Sequence, residues 1–317
     1  MNPEGLYKFR NQIVRDLAWV IHSPVLMNIP SRNNIHFDNG SFLLRTKNDT
    51  GIYLKNLDDN PTVLTKFISE ENSRLIGKYF ENLVKFWLQN GIHPYKLIVS
   101  NLQINSGGKT RGEFDFILQD KTNGKFIHLE VAGKFYLALH NSGEWIDLFG
   151  PNGIDNLDVK LRKLLEEQML LSEKPESVEI LNGLGINGKL EKIILLKGYF
   201  FYLAGNYFAG NFVPVKNSHV NHLTGWWVRF SGIEKFLESR NSKWIVVERK
   251  NWVSRVYNPN PHEIMDSGTL YGKLKHYFKS NYYPVLISEV NTKENIPFET
   301  SRGFVVSNNW PNDLSQT

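Results

Sequence analysis

The sequence contains no cysteine among its 317 residues. Disulfide bonds, thiolate metal ligands and a cysteine nucleophile are therefore excluded, because each of them needs a thiol. No run of about 18 apolar residues occurs either, so the sequence predicts no membrane span. The N-terminal segment carries Arg15 and Asp16 inside its apolar pattern, which breaks the apolar core that a secretory signal requires. We therefore expect a cytoplasmic protein with no membrane partner.

A strong excess of charge of one sign is also absent. The chain carries 37 Lys and Arg against 32 Asp and Glu, a formal net charge of +5. This mild basicity is compatible with an acidic partner such as nucleic acid but does not require one. Hydrophobic residues make up 41% of the chain and aromatic residues 13%, which favours a packed chain over a disordered one.

The spacing of apolar residues predicts the order of helices and strands. Helical spacing indicates helices over residues 13–27, 68–90 and 157–172, and extended apolar runs indicate strands over 95–104, 112–120, 126–139 and 191–205. From residue 68 onward the order is helix, three strands, helix, strand. This order predicts an α/β (α+β) fold with a central mixed β-sheet flanked by helices.

No linker, repeat or low-complexity run divides the chain, so we expect a single domain over residues 1–317. The αβββαβ core is predicted over about 68–204. A helical extension over 1–67 precedes the core, and an elaboration of short strands and one helix over 205–317 follows it.

Two carboxylates occupy strand positions that should be apolar. Asp115 lies in "GEFDFIL", where Phe114, Phe116 and Leu118 are predicted on one face and Glu113, Asp115 and Ile117 on the other. Glu130 lies in the next strand, "HLEVAGKFYL", across a hairpin turn, "KTNGK". Counting outward from that turn places Asp115 and Glu130 at a similar height, so the two side chains are predicted to be neighbours.

Neighbouring carboxylates repel each other, and burying one without a partner is costly. A divalent cation relieves both problems, since Mg²⁺ and Mn²⁺ prefer oxygen ligands. The pattern alone leaves a second interpretation open, in which the hairpin lies at a sheet edge and both acids face water. Lys134 would then be a solvated partner.

Further polar residues surround this pair in the pattern. Lys134 follows Glu130 by four residues and shares its face of the strand, where an ammonium could stabilise charge that develops on a phosphoryl oxygen. Glu81 borders the apolar stripe of the 68–90 helix, and Gly77 one turn earlier gives room for close approach. Gln168 ends the ladder Leu157, Leu161, Leu164 on the 157–172 helix, and Lys160 lies on its flank. A solvated Glu81, a helix-end amide and a surface lysine remain alternatives for these three.

Three of these segments resemble motifs of the PD-(D/E)XK nuclease superfamily, whose core has the same element order. "GKYFENL" is similar to the first-helix motif with its Glu, "GEFDFIL" to the strand with the metal-binding Asp, and "HLEVAGKF" to the E-x-K strand. A resemblance that runs through most of the chain is to the uncharacterised bacterial family DUF1853, on "VRDLAWVIHSPVLM", "GPNGIDNLDVKLRKLLEEQ" and "GWW" as well.

The resemblance implies a metal-dependent phosphodiesterase or nuclease acting on DNA, in which a water activated by the metal attacks phosphorus. Asp115 and Glu130 would hold Mg²⁺ or Mn²⁺, with Lys134 and Glu81 catalytic and with Glu113, Lys160 and Gln168 in the substrate cleft. The superfamily pattern has Glu and Lys two residues apart, whereas Glu130 and Lys134 are four apart.

Four interpretations of the spacing between Glu130 and Lys134 stay open. Lys134 leans back along the strand, Gly133 marks a bulge that re-aims it, Lys160 supplies the charge instead, or catalysis has been lost. In the last case the protein is a nuclease-fold scaffold that binds nucleic acid or protein. A two-carboxylate hydrolase of the glycosidase kind is a weaker reading, because it leaves Lys134 without a role.

Overall fold

The computed structural model describes residues 8–44, 47–71 and 75–312. Within these ranges no helix is long and apolar enough to cross a membrane. The helices are α1 (Gln12–His22), α2 (Lys47–Asp59), α3 (Thr62–Glu70), α4 (Ile76–Asn90), α5 (Leu157–Lys163), α6 (Pro175–Gly183), α7 (Ala204–Ala209), α8 (Phe230–Glu238) and α9 (Ser267–Tyr277). The strands are β1 (Ile35–Phe37), β2 (Tyr95–Ser106), β3 (Lys109–Asp120), β4 (Phe126–Ala138), β5 (Leu148–Phe149), β6 (Glu191–Leu203), β7 (Leu223–Arg229), β8 (Lys243–Val247), β9 (Val285–Lys293) and β10 (Ile296–Val306).

The strands form one large mixed sheet in the order β2-β3-β4-β6-β7-β10-β9-β8, with β1 on β6 and β5 on β4. Pairing is antiparallel from β2 to β4, parallel from β4 through β6 and β7 to β10, and antiparallel again from β10 through β9 to β8. The predicted mixed sheet with flanking helices is therefore confirmed. The C-terminal strands extend the same sheet as the predicted core strands.

Strand β4 is covered on both faces. Leu129, Val131, Phe135 and Leu137 pack with α1 and α4, whereas Tyr136 and Ala138 pack with α5 on the other face. Because the side chains of a strand alternate, Glu130 and Lys134 belong to the α5 face. The sequence prediction that these two residues share a face therefore agrees with the structure.

The helix predicted over 68–90 is wrong as a single element. α3 ends at Glu70 and α4 begins at Ile76, after a residue with extended backbone, Leu75. Residues 72–74 of that prediction lie outside the described residues. The C-terminal half is right: Phe80, Leu83, Val84 and Trp87 are buried, and Gly91 caps the helix as expected.

Other boundaries differ where the sequence pattern is weak. The helix predicted over 13–27 ends at His22, two residues before Pro24, because the residue before a proline avoids the helical conformation. α2 and α6 fall in polar stretches where no helix was predicted. The helix predicted over 157–172 leaves the α-helical form after Lys163 and continues as a π-helical turn, Leu164–Gln168.

Candidate active site

The pairing of β3 with β4 stops at the two carboxylates. The strands pair from Gln119 and Phe126 at the hairpin to Phe116 and Leu129. The next opposed residues in this register are Asp115 and Glu130, which confirms that they lie at the same height. Beyond Phe116 the regular ladder ends and the two strands separate.

The carboxylates replace the missing ladder bonds. The main-chain N–H of Val131 donates to Oδ2 of Asp115 across 2.9 Å, and the main-chain N–H of Asp115 lies 3.4 Å from Oε1 of Glu130. Each carboxylate thus bonds to the backbone of the other strand. This reciprocal arrangement fixes both side chains at the point where the sheet opens.

Asp115 also sits at an irregularity of β3. Asp115 is absent from the regular pairing of β3 with β2 and from that of β3 with β4. The residue opposite it on β2, Asn101, has a positive φ of 52°. The predicted shared face of Phe114, Phe116 and Leu118 is wrong, because Phe114 packs in the cluster under α6 whereas Phe116 packs under α1 and α4. The alternation slips at Asp115, since an irregular ladder changes which face successive side chains take.

His128 supports Glu130 from within the same strand. Its Nε2 lies 2.8 Å from Oε1 of Glu130, and the ring is fully buried against the edge of Phe114. Burial, together with the nearby Lys192, lowers the pKa of His128 to about 3, so the ring is neutral at pH 7. The sequence analysis did not assign His128 to the site, although its spacing of two from Glu130 on a strand places both side chains on one face.

The π-helical turn after α5 brings Gln168 to the same carboxylate. Its Nε2 lies 3.4 Å from Oε2 of Glu130 and 3.4 Å from the carbonyl oxygen of Glu113. An extra residue in a helical turn shifts the side chains that follow it, and such turns recur at functional sites. Here the shift places the amide beside Glu130, on the α5 side rather than in the cleft described below.

Both carboxylates are harder to ionise than ordinary acids. Burial raises the pKa of Glu130 to about 7. Burial and then the neighbouring Glu130 raise the pKa of Asp115 well above its usual range, although the bond from Val131 opposes this. Lys160 favours the ionised form of each. The positive charge near the two carboxylates is therefore too small to keep their pKa values in the usual range. A bound cation would lower both pKa values.

Lys134 does not turn back to the pair. Its Nζ donates to Oδ2 of Asp155 across 2.5 Å. Asp155 belongs to the loop over residues 150–156, which Trp310 holds by donating its indole N–H to the carbonyl oxygen of Pro151. The sequence reading missed Asp155, because nothing in the local pattern shows which strand this loop approaches.

Gly133 does not mark a bulge toward β6. The register of β4 with β6 is unbroken from Ile127 to Leu137. A Cβ on Gly133 would lie 2.7 Å from the ring of Phe80, so this glycine lets α4 pack close to the strand. The bulge explanation for the four-residue spacing is therefore wrong at this pairing.

Lys160 is the cation that acts on both carboxylates. It lies half-buried on α5, where burial and the charge of Lys134 lower its pKa and the acids oppose that shift. Like Gln168, it approaches Glu130 from the α5 side and does not line the cleft. Of the four readings of the lysine position, these contacts favour the one in which Lys160 supplies the charge.

The remaining predicted residues have partners of their own. Glu81 accepts a hydrogen bond from Lys78 across 2.7 Å on the half-buried flank of α4. Glu113 accepts from Asn101 at 3.1 Å and from Gln103 at 3.3 Å. Glu81 is close enough to raise the pKa values of Asp115 and Glu130, so it belongs to the same electrostatic group.

A cleft of about 1110 Å³ opens where β3 and β4 separate. One wall, the carboxylate wall, consists of the start of α4, the parts of β3 and β4 that have separated, and the 150–156 loop. It includes Asp115, Glu113, Glu81 and Lys134. Gly77 also lines it, with open space where a Cβ would be. The volume suits a ligand larger than a single small molecule.

The donor set fits a hard divalent cation. Among the described residues, Oδ1 of Asp115 receives no hydrogen bond, and only the long contact from Gln168 reaches Oε2 of Glu130. Each carboxylate therefore keeps one oxygen for a ligand. Across the described ranges no three His, Asp or Glu side chains are grouped closely enough to bind a metal alone. Waters and substrate oxygens would have to complete the shell, as is common for Mg²⁺.

The comparisons with known proteins give a family without an activity. The model of the family described as "Domain of unknown function (DUF1853)" matches residues 15–306. No curated protein and no solved structure matches the chain. Since the matched segment covers most of the chain and contains every strand described above, the chain belongs to the DUF1853 family.

Proposed function

We propose that the protein is a metal-dependent phosphodiesterase that cleaves DNA, with a core like that of the PD-(D/E)XK nucleases. The observation that carries the proposal is the reciprocal bonding of Asp115 and Glu130 at the point where β3 and β4 separate. This places two carboxylates from adjacent strands at one point beside a large cleft. That arrangement is the one that resembles the metal-binding centre of the superfamily.

Asp115 and Glu130 would hold Mg²⁺ or Mn²⁺. When bound, the cation supplies Lewis acidity at a phosphoryl oxygen and lowers the pKa of a water. In the cation-free protein the pair holds a proton, because both pKa values are raised. That proton has to leave before a cation binds, so the affinity for the cation should rise with pH.

Other side chains orient this pair and supply positive charge. The neutral ring of His128 and the amide of Gln168 hold the two oxygens of Glu130. Lys160 favours the ionised form of both carboxylates and so keeps the pair able to hold the cation. Asp155 holds Lys134 at the loop, where the lysine keeps its place in the cleft wall.

The test is cleavage of supercoiled plasmid and of branched DNA with Mn²⁺. Wild type should cleave at least one substrate, and Asp115→Ala and Glu130→Gln should lose that activity. Glu166→Gln is the matched control, because Glu166 is an exposed acid on the π-helical turn. Cleavage that survives in Asp115→Ala would show that this pair is not the catalytic centre.

A second candidate is a nuclease-fold scaffold without catalysis. The specific observation in its favour is the ion pair of Lys134 with Asp155, which removes the lysine from the position that the superfamily motif gives it. Titration calorimetry separates the two candidates. The scaffold predicts no heat of Mn²⁺ binding in the wild type, whereas the enzyme predicts binding that Glu130→Gln abolishes and Glu166→Gln retains.

A further inference from the structure

The second wall of the cleft comes from the C-terminal part of the chain. It consists of β8, residues 249–252, α9 and the start of β9, and we call it the C-terminal wall. Its polar members are Arg249, Lys273, Tyr277 and Tyr283, and apolar side chains lie between them. The C-terminal part of the sheet therefore forms half of the cleft.

The two walls carry opposite charge. The carboxylate wall has two lysines, Lys78 and Lys134, and four carboxylates, a formal charge of −2. The C-terminal wall has Arg249 and Lys273 and no acid among the described residues that line it, a formal charge of +2. Within the described ranges neither cation has an ion-pair partner, whereas Lys78 pairs with Glu81 and Lys134 with Asp155.

Exposed apolar and aromatic side chains accompany these cations. Tyr283 is 52% exposed, and its ring stacks on Tyr282 at 4.8 Å. Leu75 and Ile154, on the carboxylate wall, are 65% and 69% exposed. A soluble protein rarely leaves such side chains along one cleft without a ligand. Flat rings and apolar side chains beside cations are the surface on which unpaired bases stack.

We propose that the C-terminal wall binds a single-stranded segment of nucleic acid and lays it beside Asp115, the member of the carboxylate pair that lines the cleft. Arg249 and Lys273 contact its phosphates, and Tyr283 stacks on a base. The proposal rests on the proposed function, because it names the substrate class of the same cleft. It also makes a claim that stands when catalysis is absent, since binding to this wall needs no cation.

A duplex suits this cleft less well for two reasons. Its bases are stacked inward, so the exposed rings and apolar side chains would meet only sugars and phosphates. Its second strand would also bring phosphates against the negatively charged carboxylate wall, where Glu113 and Asp115 lie. Like charges at that distance oppose binding. One strand, with phosphates on the positive wall, avoids both costs.

The test is fluorescence anisotropy in EDTA with labelled DNA of about 12 nucleotides, as a single strand and as a blunt duplex of the same sequence. The single strand should bind at least tenfold more tightly. Tyr283→Ala should weaken its binding by about 5-fold or more, since that is the lower end of what stacking on one base contributes. Tyr283→Phe should retain it. Removing both cations in Arg249→Gln/Lys273→Gln should reduce the salt dependence. The slope of log K against log salt should be smaller by about 1.4, since each phosphate contact on a single strand contributes about 0.7.

Lys275→Gln is the matched control, because Lys275 lies exposed on α9 outside the cleft. Equal or tighter binding of the duplex would overturn the inference, and so would cleft variants that behave like Lys275→Gln. The proposed function and this inference can be contradicted by different results. Single-strand binding without Mn²⁺-dependent cleavage leaves the inference standing and removes the nuclease, whereas cleavage of duplex without single-strand binding does the opposite.

Discussion

The ammonium of Lys134 lies 2.5 Å from a carboxylate oxygen of Asp155. Lys134, at the position of the motif lysine, therefore forms an ion pair with an acid of the 150–156 loop. Lys160, from the helix that follows this loop, is the lysine that acts electrostatically on Asp115 and Glu130. In the proposed site the two lysines therefore have different roles. Lys160 supplies positive charge to the carboxylate pair, and Lys134 binds the loop.

This division predicts an order of effects on cleavage. Lys160→Gln should lower kcat by about 10²–10³, because it removes the cation that favours the ionised form of both carboxylates. Lys134→Gln should cost about tenfold or less in kcat, since its charge is already paired. Lys163→Gln, an exposed lysine on the same helix, is the control. Initial rates with Mn²⁺ measure the order, and a larger loss in Lys134→Gln would contradict it.

Stability should depend on pH through the carboxylate pair. The pKa of Glu130 is about 7 in the folded protein and 4.5 in the unfolded chain, so the unfolded chain releases its proton first as the pH rises. The contribution of Glu130 to the free energy of unfolding of the metal-free protein should therefore fall from about pH 4.5 to about pH 7 and stay lower above that range. The raised pKa of Asp115 acts in the same direction. The lowered pKa of buried His128 makes its own contribution rise with pH, so the effect of Glu130 is read from a comparison with its variant.

Urea denaturation from pH 4.5 to 8 measures this effect. Glu130→Gln should remove the contribution of Glu130 because its side chain does not ionise, so its stability relative to the wild type should increase from about pH 4.5 to about pH 7. Glu166→Gln should follow the wild type. Mn²⁺ should restore stability most at high pH, since a cation binds the ionised pair. A Glu130→Gln protein whose stability changes with pH as that of the wild type does would show that Glu130 is not buried as described.

His128 should set the ionisation of Glu130. Replacing it in His128→Phe removes a buried neutral donor, which should raise the pKa of Glu130 further and cost about 1–3 kcal/mol of stability. Mn²⁺ binding should then require a higher pH. His140→Gln, an exposed histidine two residues after β4, is the control. Calorimetric affinity measured as a function of pH tests the shift, and an unchanged profile would reduce His128 to a packing role.

Gly198 should be intolerant of any side chain. It lies opposite Lys134 in the β4–β6 pairing with φ +144°, and a Cβ there would lie 1.6 Å from the carbonyl oxygen of Lys134. We expect Gly198→Ala to destabilise the fold by about 3 kcal/mol or more, because the backbone of two buried strands would have to move. Gly272→Ala on α9, where no atom lies within 4 Å of the new Cβ, should be neutral or stabilising by about 0.5–1 kcal/mol. Thermal unfolding of both variants compares the two sites.

Several features of the site follow from the sequence alone. The turn at 121–125 and the alternation of β4 place Asp115 opposite Glu130 and put Lys134 on the face of Glu130, because strand geometry has a fixed period of two. The stripe Phe80, Leu83, Val84 and Trp87 likewise defines the buried face of α4. These are local regularities, and a sequence pattern can express them.

The partners of those residues were decided by tertiary structure. Asp155 meets Lys134 because Trp310 anchors its loop from the far end of the chain. Gln168 meets Glu130 because the helix after Lys163 takes a π-helical turn, and Phe114 changes face because the ladders of β3 break at Asp115. The cleft itself forms between strands that lie more than a hundred residues apart in the sequence. Contacts of this kind depend on how distant segments pack, so no local spacing in the sequence encodes them.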